Sequence, residues 1–250
     1  MTPTILITGG GSKRGIGRAT ALRFAALGYA VGVLDIDADG AADTAAQAGN
    51  AGSPAVFAAH ADVTDQASVL AAVRAAEDAL PPVTVLATIA GISSPTRFEN
   101  ITLDEWEKIF AVNVRGTFLV TQAVLPGLRE RGYGRIITMS SVSGQRGGGV
   151  FGATAYSASK AAILGLTRTL AREVEGQGIT VNAVAPSMVD TDITHGAMTE
   201  ERKTELAATT LVGRLATPAD VAGAVVFLAS PDAAYLTGAT IDVNGGSHLH

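Results

Sequence analysis

The chain has 250 residues, 47% of them hydrophobic and 16% charged, with a net charge of −5 and no cysteine. An average globular protein carries ~25% charged residues, so this is neither a disordered chain nor a coiled coil, and its length allows a real core. The acidic balance without a basic tract speaks against nucleic-acid or anionic-membrane partners, and the missing cysteines exclude disulfides and thiolate chemistry. No apolar run approaches the ~18 residues of a transmembrane helix. Residues 4–9 already read as a core strand with no basic stretch before them, so no signal peptide is expected and a cytoplasmic protein is.

The first element is the apolar run 4–8, which leads into Thr8-Gly9-Gly10-Gly11-Ser12-Lys13-Arg14-Gly15-Ile16-Gly17 and then a helical pattern over 16–28. Glycines between a first strand and a first helix permit a tight turn and close approach to a pyrophosphate, and the helix N-terminus offers free N–H groups. The segment is not G-x-G-x-x-G, because Thr20 stands at the third glycine position, and it is not a P-loop. A second strand, 30–34, is followed by Asp35 and Ile36. A carboxylate there can accept hydrogen bonds from the adenosine ribose and repel a 2′-phosphate, which favours NAD; Lys13 and Arg14 pull toward NADP. A helix over 38–49 and a strand over 55–59 come next, and Asp62-Val63 at that strand's end is a candidate adenine contact or a plain capping pair.

A helix over 65–80 precedes the strand 84–89, which runs into Ala90-Gly91. A long helical pattern over 103–131 contains Asn113, an amide whose burial would need a reason. The strand 135–139 ends in Ser140-Ser141, at the strand end that faces the ligand crevice of parallel sheets. The helix 154–176 carries Tyr156 and Lys160, one turn apart on one face. An ammonium beside a tyrosine, together with an oxidised nicotinamide, lowers the phenol pKa and makes the pair a candidate general acid/base. The strand 180–184, a helix over 218–229 and the strand 239–243 complete the alternation. The strands lack polar alternation, as strands buried on both faces of a parallel sheet do. Seven of them alternating with helices predict a single-domain α/β protein over residues 1–250, a doubly wound, Rossmann-like parallel sheet with helices on both faces. The least regular stretch, 187–212, is a candidate lid.

Thr8-Gly9 through Gly15-Ile16-Gly17, Asp35, Asn113, Ser141 and Tyr156-x-x-x-Lys160 together resemble the short-chain dehydrogenases/reductases, in their branch of ~250 residues. The tail is similar too: Gly213-Arg214-Leu215, Pro218-x-Asp220-Val221 and Asp242-Val243-Asn244-Gly245-Gly246 resemble the last helix and strand of 3-oxoacyl-thioester reductases and of sugar or polyol dehydrogenases. The resemblance implies that Tyr156 is the general acid/base, that Lys160 lowers its pKa and holds the nicotinamide ribose, that Ser141 orients the substrate oxygen, and that Asn113 holds a water of a proton relay. It implies that Pro186, Val189 and Thr191 flank the nicotinamide, and it implies a homotetramer. Cofactor contacts are expected from Gly9, Gly11, Ser12, Arg14, Gly15, Ile16, Asp35, Ile36, Asp62, Val63, Ala90, Gly91, Tyr156, Lys160, Pro186, Val189 and Thr191.

The chain departs from the family pattern in four places: a glycine turn two residues longer, Thr88-Ile89-Ala90-Gly91 in place of Asn-Asn-Ala-Gly, Pro186-Ser187 in place of Pro-Gly, and a longer spacing from Ser141 to Tyr156. The added residues fall in 145–151, where Gln145 and Phe151, with Ser141, Tyr156 and His195, are expected to meet the substrate. Arg97, Arg146, Asp190 and Asp192 add polar groups nearby. They suit a sugar, polyol or similar hydroxylated small molecule, oxidised with NAD. The alternative is a 3-oxoacyl thioester reduced with NADPH, with Arg115, Arg129, Arg131 and Arg135 as the basic residues that could meet an acidic carrier. A remote alternative is a non-catalytic nucleotide sensor on the same fold. The histidines show no ligand spacing, so no metal is expected.

Overall fold

A computed structural model describes residues 2–149, 151–194 and 199–249. The first half of the sheet consists of β1 (Thr4–Thr8), β2 (Ala30–Asp35), β3 (Val56–His60) and β4 (Val83–Thr88). Its second half consists of β5 (Gly134–Met139), β6 (Ile179–Pro186) and β7 (Thr240–Val243). All pair in parallel in the order β3-β2-β1-β4-β5-β6-β7. Strands β1, β5 and β6 are buried along their whole length, which is why their sequences show no polar alternation.

The helices α1 (Ile16–Ala26), α2 (Ala38–Asn50) and α9 (Pro218–Ala229) cover one face, where Phe24, Ala45, Val221, Val225 and Leu228 meet Ile5, Ile7, Val31 and Val33. The helices α3 (Gln66–Ala79), α5 (Gly116–Arg131) and α7 (Thr154–Glu173) belong to the other face. There Val69, Val73, Val120, Val124, Leu128 and Leu170 meet Leu6, Leu86, Ile136 and Val181. The chain builds outward from β1 to β3 and then returns to set β4 on the other side of β1. That reversal parts the loops above β1 and β4 and opens a crevice at the strands' carboxyl ends.

Two segments differ from the sequence expectation. The 103–131 pattern is not one helix: α4 (Leu103–Phe110) and α5 are joined by a π-helical turn over Ala111–Arg115. One extra residue per turn rotates Asn113 inward, where it is buried. Within the stretch 187–212, the described residues 187–194 and 199–212 carry more regular structure than expected. Val189 makes a parallel bridge to Ala216, a 3₁₀ turn covers Asp192–Thr194, and α8 spans Glu200–Ala207 with Thr199 as its N-cap. A short helix absent from the sequence reading, α6 (Val142–Arg146), starts with Ser141 as its N-cap. Leu103–Arg131 has the length and hydropathy of a membrane span, but α5 packs against α3, β4 and β5.

Candidate active site

The nucleotide side of the crevice is built mainly from backbone. Gly9 has φ +79°, and a Cβ on it would lie 2.6 Å from the Ala90 backbone. A Cβ on Gly17 would lie 2.2 Å from the Gly9 carbonyl oxygen. Only glycine at these two positions lets the start of α1 press onto the turn and leave its N–H groups facing the crevice. Gly9, Ser12, Gly15, Ile16, Asp35, Ile36, Asp62, Val63, Ala90, Gly91 and Thr191 all line this cleft, as the sequence predicts, together with Lys108, which the sequence reading missed.

Asp35 Oδ2 accepts from the Gly11 N–H at 2.7 Å, and Oδ1 accepts from the Asp37 N–H at 2.9 Å. Each carboxylate oxygen keeps a lone pair for a ribose hydroxyl. Turn and carboxylate together fit the adenosine and pyrophosphate of a dinucleotide. Asp62 accepts from the Thr64 N–H and hydroxyl, each at 2.8 Å, and these bonds hold its carboxyl below the ordinary range. It thus serves its own loop as well as the cleft wall.

Two expected cofactor contacts are not on the cleft wall. Gly11 spends its N–H on Asp35. Arg14 turns to the far side of the crevice, with Nη2 at 2.5 Å from Asp190. The substitution of Thr88-Ile89 for the family's paired asparagines leaves the Thr88 hydroxyl buried without a partner among the described residues. The strand ends are instead joined by the Ile89 N–H to the Thr8 carbonyl and by the Ala90 N–H to the Thr8 hydroxyl.

The adjoining pocket holds the chemistry. Ser141, Tyr156, Lys160, Pro186, Val189 and Thr191 line it, with Gly91 shared between the two cavities. Ser141 sits at the end of β5 and Tyr156 in the first turn of α7. The Ser141 hydroxyl donates to the Pro186 carbonyl at 3.4 Å and accepts from the Ser143 N–H at 3.1 Å, which fixes its direction beside the phenol. Lys160 is buried and donates to the Met139 carbonyl at 2.8 Å. Its ammonium lies 5.7 Å from the Tyr156 ring centre.

Burial lowers the Lys160 pKa to about 8. Burial also raises the Tyr156 phenol above its usual value, and the Ser141 bond offsets only part of that. The expected lowering by Lys160 is therefore not produced by the protein's own residues. The ammonium spends one donor on Met139, and removal from solvent is the largest influence on the phenol.

Both ends of the Asn113 amide are held in place. Its Oδ1 accepts from the Ile92 N–H at 2.9 Å, and its Nδ2 donates to the Ile92 carbonyl and to Ser159 Oγ, each at 3.0 Å. Ser159 in turn donates to the Tyr156 carbonyl at 2.7 Å. The sequence reading missed Ser159; its only signal was a small polar residue on the buried side of α7. One lone pair remains on Asn113 Oδ1. A Cβ on Gly91 would stand 3.2 Å from that oxygen and 3.3 Å from Lys160 Nζ, so the glycine leaves the space between them open. Two more glycines seat the catalytic helix. A Cβ on Gly144 would lie 2.6 Å from the Lys160 carbonyl carbon, and one on Gly152 would lie 2.4 Å from the Tyr156 ring.

Away from the phenol, the pocket wall is largely apolar: Met139, Val142, Phe151, Met188, Ile193 and Leu206, with Arg146 and Ser247 at one end. Phe151 is where the sequence predicts it. Gln145 is not: its amide donates to Asp242 at 2.7 Å, on β7. His195 lies outside the described residues. Two other polar groups expected to meet a hydroxylated substrate, Asp190 and Asp192, are bonded to the glycine turn and to α8. Asp190 pairs with Arg14 and Lys203, and Asp192 accepts from the Ser12 hydroxyl and the Arg14 N–H. Arg129, Arg131 and Arg135 sit at the end of α5 and the start of β5, the opposite end of the sheet from the pocket.

A family model described as enoyl-(acyl carrier protein) reductase matches residues 9–248. The chain is 42% identical over 247 residues to an uncharacterized short-chain type dehydrogenase/reductase of Sinorhizobium fredii, covering 99% of this chain and 98% of the relative. It is 37% identical over 249 residues to an acetoacetyl-CoA reductase of Rhizobium meliloti, covering 100% of both. The crystal structure of a 3-oxoacyl-[acyl-carrier protein] reductase with bound NAD from Brucella melitensis superposes with a TM-score of 0.89 at 32% identity, covering 100% of this chain and 92% of that one.

Proposed function

The chain belongs to the short-chain dehydrogenases/reductases, and we propose that within this family it reduces a 3-oxoacyl thioester to the 3-hydroxyacyl thioester. The observation that carries this reading is the apolar wall running from the Ser141–Tyr156 pair past Val142, Phe151, Met188 and Leu206. An acyl chain gains from covering such a wall, at ~25 cal/mol per Å² of apolar area removed from water. A polyol gains less there, because hydroxyls such as those of Ser143, Ser187, Thr209 and Thr210 are interspersed with larger apolar side chains that offer it no hydrogen bonds. The acetoacetyl-CoA and 3-oxoacyl reductases among the relatives favour the same substrate class over the sugar or polyol.

In this reading Asp35 would hold the adenosine ribose of the cofactor, and Pro186, Thr191 and Lys160 would hold its nicotinamide. A reduced nicotinamide supplies the hydride for the 3-carbon. Ser141 donates to the ketone oxygen and fixes its orientation. Tyr156 gives that oxygen a proton as the alcohol forms, so the C=O double bond becomes C–OH and the phenol becomes phenolate. A phenol kept protonated by burial is suited to this direction. The Lys160 ammonium stabilises the phenolate. The proton returns to Tyr156 along Lys160 and a water in the space beside Gly91, held by the free lone pair of Asn113.

Nicotinamide absorbance tests the reading. The expected result is consumption of the reduced cofactor with acetoacetyl-CoA and no reduction of the oxidised cofactor with sugars or polyols. Turnover of a polyol with an inert thioester would overturn it.

A further inference from the structure

The glycine turn carries two cations, Lys13 and Arg14, beside a carboxylate that repels a 2′-phosphate, and the sequence leaves their balance open. The structure takes Arg14 out of that balance. Its guanidinium lies 2.5 Å from Asp190 Oδ1 and 3.9 Å from Asp192. The Arg14 N–H and the Ser12 hydroxyl are held by Asp192 Oδ2 at 3.0 Å and 2.9 Å. Through Ser12 and Arg14 the turn thus contacts the segment after β6.

Asp190 is a fixed partner rather than a flexible one. Its N–H donates to the Ala216 carbonyl at 3.0 Å, next to the parallel bridge between Val189 and Ala216. Its second oxygen is anchored by Lys203 at 3.0 Å. Arg14, exposed on a glycine-rich turn, is the partner that gives way. Arg18, at the turn's base, is buried and committed to Asp43 at 2.7 Å, and Lys13 acts on the same carboxylate.

We propose that Asp190 is a specificity-determining residue for the cofactor: it holds Arg14 away from the position beside Asp35 where a 2′-phosphate would stand, and so favours NAD over NADP. Discrimination then has two parts, the repulsive carboxylate of Asp35 and the removal of a cation that would offset it. Arg is the side chain best suited to a phosphate, so releasing it changes the ratio of affinities, not both affinities together. Asp190 touches neither reacting atom nor 2′-phosphate; it acts through Arg14. The inference needs the family's nicotinamide cofactor but not the thioester substrate.

The test is calorimetric titration of the full chain with NADH and with NADPH, without any ketone. In Asp190→Ala the affinity for NADPH should rise about tenfold relative to NADH, the change expected from one recovered phosphate contact. In Asp190→Ala with Arg14→Ala the ratio should return to that of the unaltered protein. Asp190→Asn, which keeps the side chain's shape, is read in the same way if the alanine variant does not fold. An unchanged ratio, a parallel loss of both affinities, or a gain that survives removal of Arg14 would each overturn the proposal. Thioester turnover plays no part in this readout, so failure of the substrate reading leaves it intact.

Discussion

Over β1 and β2 the crevice takes its shape from glycine-dependent backbone packing; over β5 and β6 it takes its shape from side chains. The nucleotide side depends on glycines at which a Cβ would strike a neighbouring chain, as at Gly9 and Gly17, and on one carboxylate bonded to backbone N–H groups. The substrate side depends on Phe151, Met188 and Leu206, which come from three separate stretches of chain. A backbone wall has one shape and suits a constant ligand. A side-chain wall can be resized one residue at a time, so relatives can share the first and differ in the second.

Breaking the chemistry where the two sides meet should have the largest effect. Tyr156→Phe removes the proton donor but keeps the ring on Gly152, and turnover should fall by roughly 10³-fold, within the range for general acid catalysis. Cofactor affinity measured by calorimetry should stay within a few-fold. Gly17→Ala should act on the other side of the comparison. The added carbon, 2.2 Å from the Gly9 carbonyl oxygen, must push α1 off the turn. Cofactor affinity should fall by about tenfold or more with a lower melting temperature, read by titration and thermal melting.

A pH series sharpens the same boundary. Lys160 carries its charge below about 8 and loses it above. The phenolate left by proton donation then lacks its cation, so kcat/KM for ketone reduction should hold steady from pH 6 to about 7.5 and decline above about 8. A decline that begins instead on acidification would contradict this assignment. On the substrate side, Leu206→Ala removes apolar wall far from the phenol. It should raise KM for acetoacetyl-CoA several-fold with kcat little changed, at ~0.8 kcal/mol per methylene of lost burial. The smallest effect is expected away from both cavities. Thr217 caps α9 and exchanges bonds with Asp220 in a capping box, and Arg214 holds the Asp220 carboxyl far below the ordinary range. Thr217→Ala should cost about 1 kcal/mol in denaturant unfolding without changing kcat/KM.

Elements were legible where local pattern and tertiary demand agree. The strand 4–8 and the helix 218–229 are found at their expected bounds, because one is wholly buried and the other begins with a Thr-Pro cap that no neighbour has to supply. The π turn at Ala111–Arg115 was not legible. Its residues fit an ordinary helix, and only the bonds of Asn113 to Ile92 and Ser159 explain the extra residue. Gln145 misled for a related reason: its position beside the pocket was read correctly, but its direction is set by Asp242, almost a hundred residues later.

The sequence by itself determined the alternation of strands and helices, the glycine turn with its following carboxylate, and the Ser141, Tyr156 and Lys160 groups. Each rests on residue types within neighbouring elements of the chain, where periodicity and covalent geometry decide. Tertiary structure alone decided which polar groups remain available to a ligand. Arg14, Asp190, Asp192 and Gln145 all looked free in sequence, and folding joins them to partners from distant segments. It also decided the direction in which the phenol pKa moves, because burial depends on what packs around a group, and no local pattern carries that.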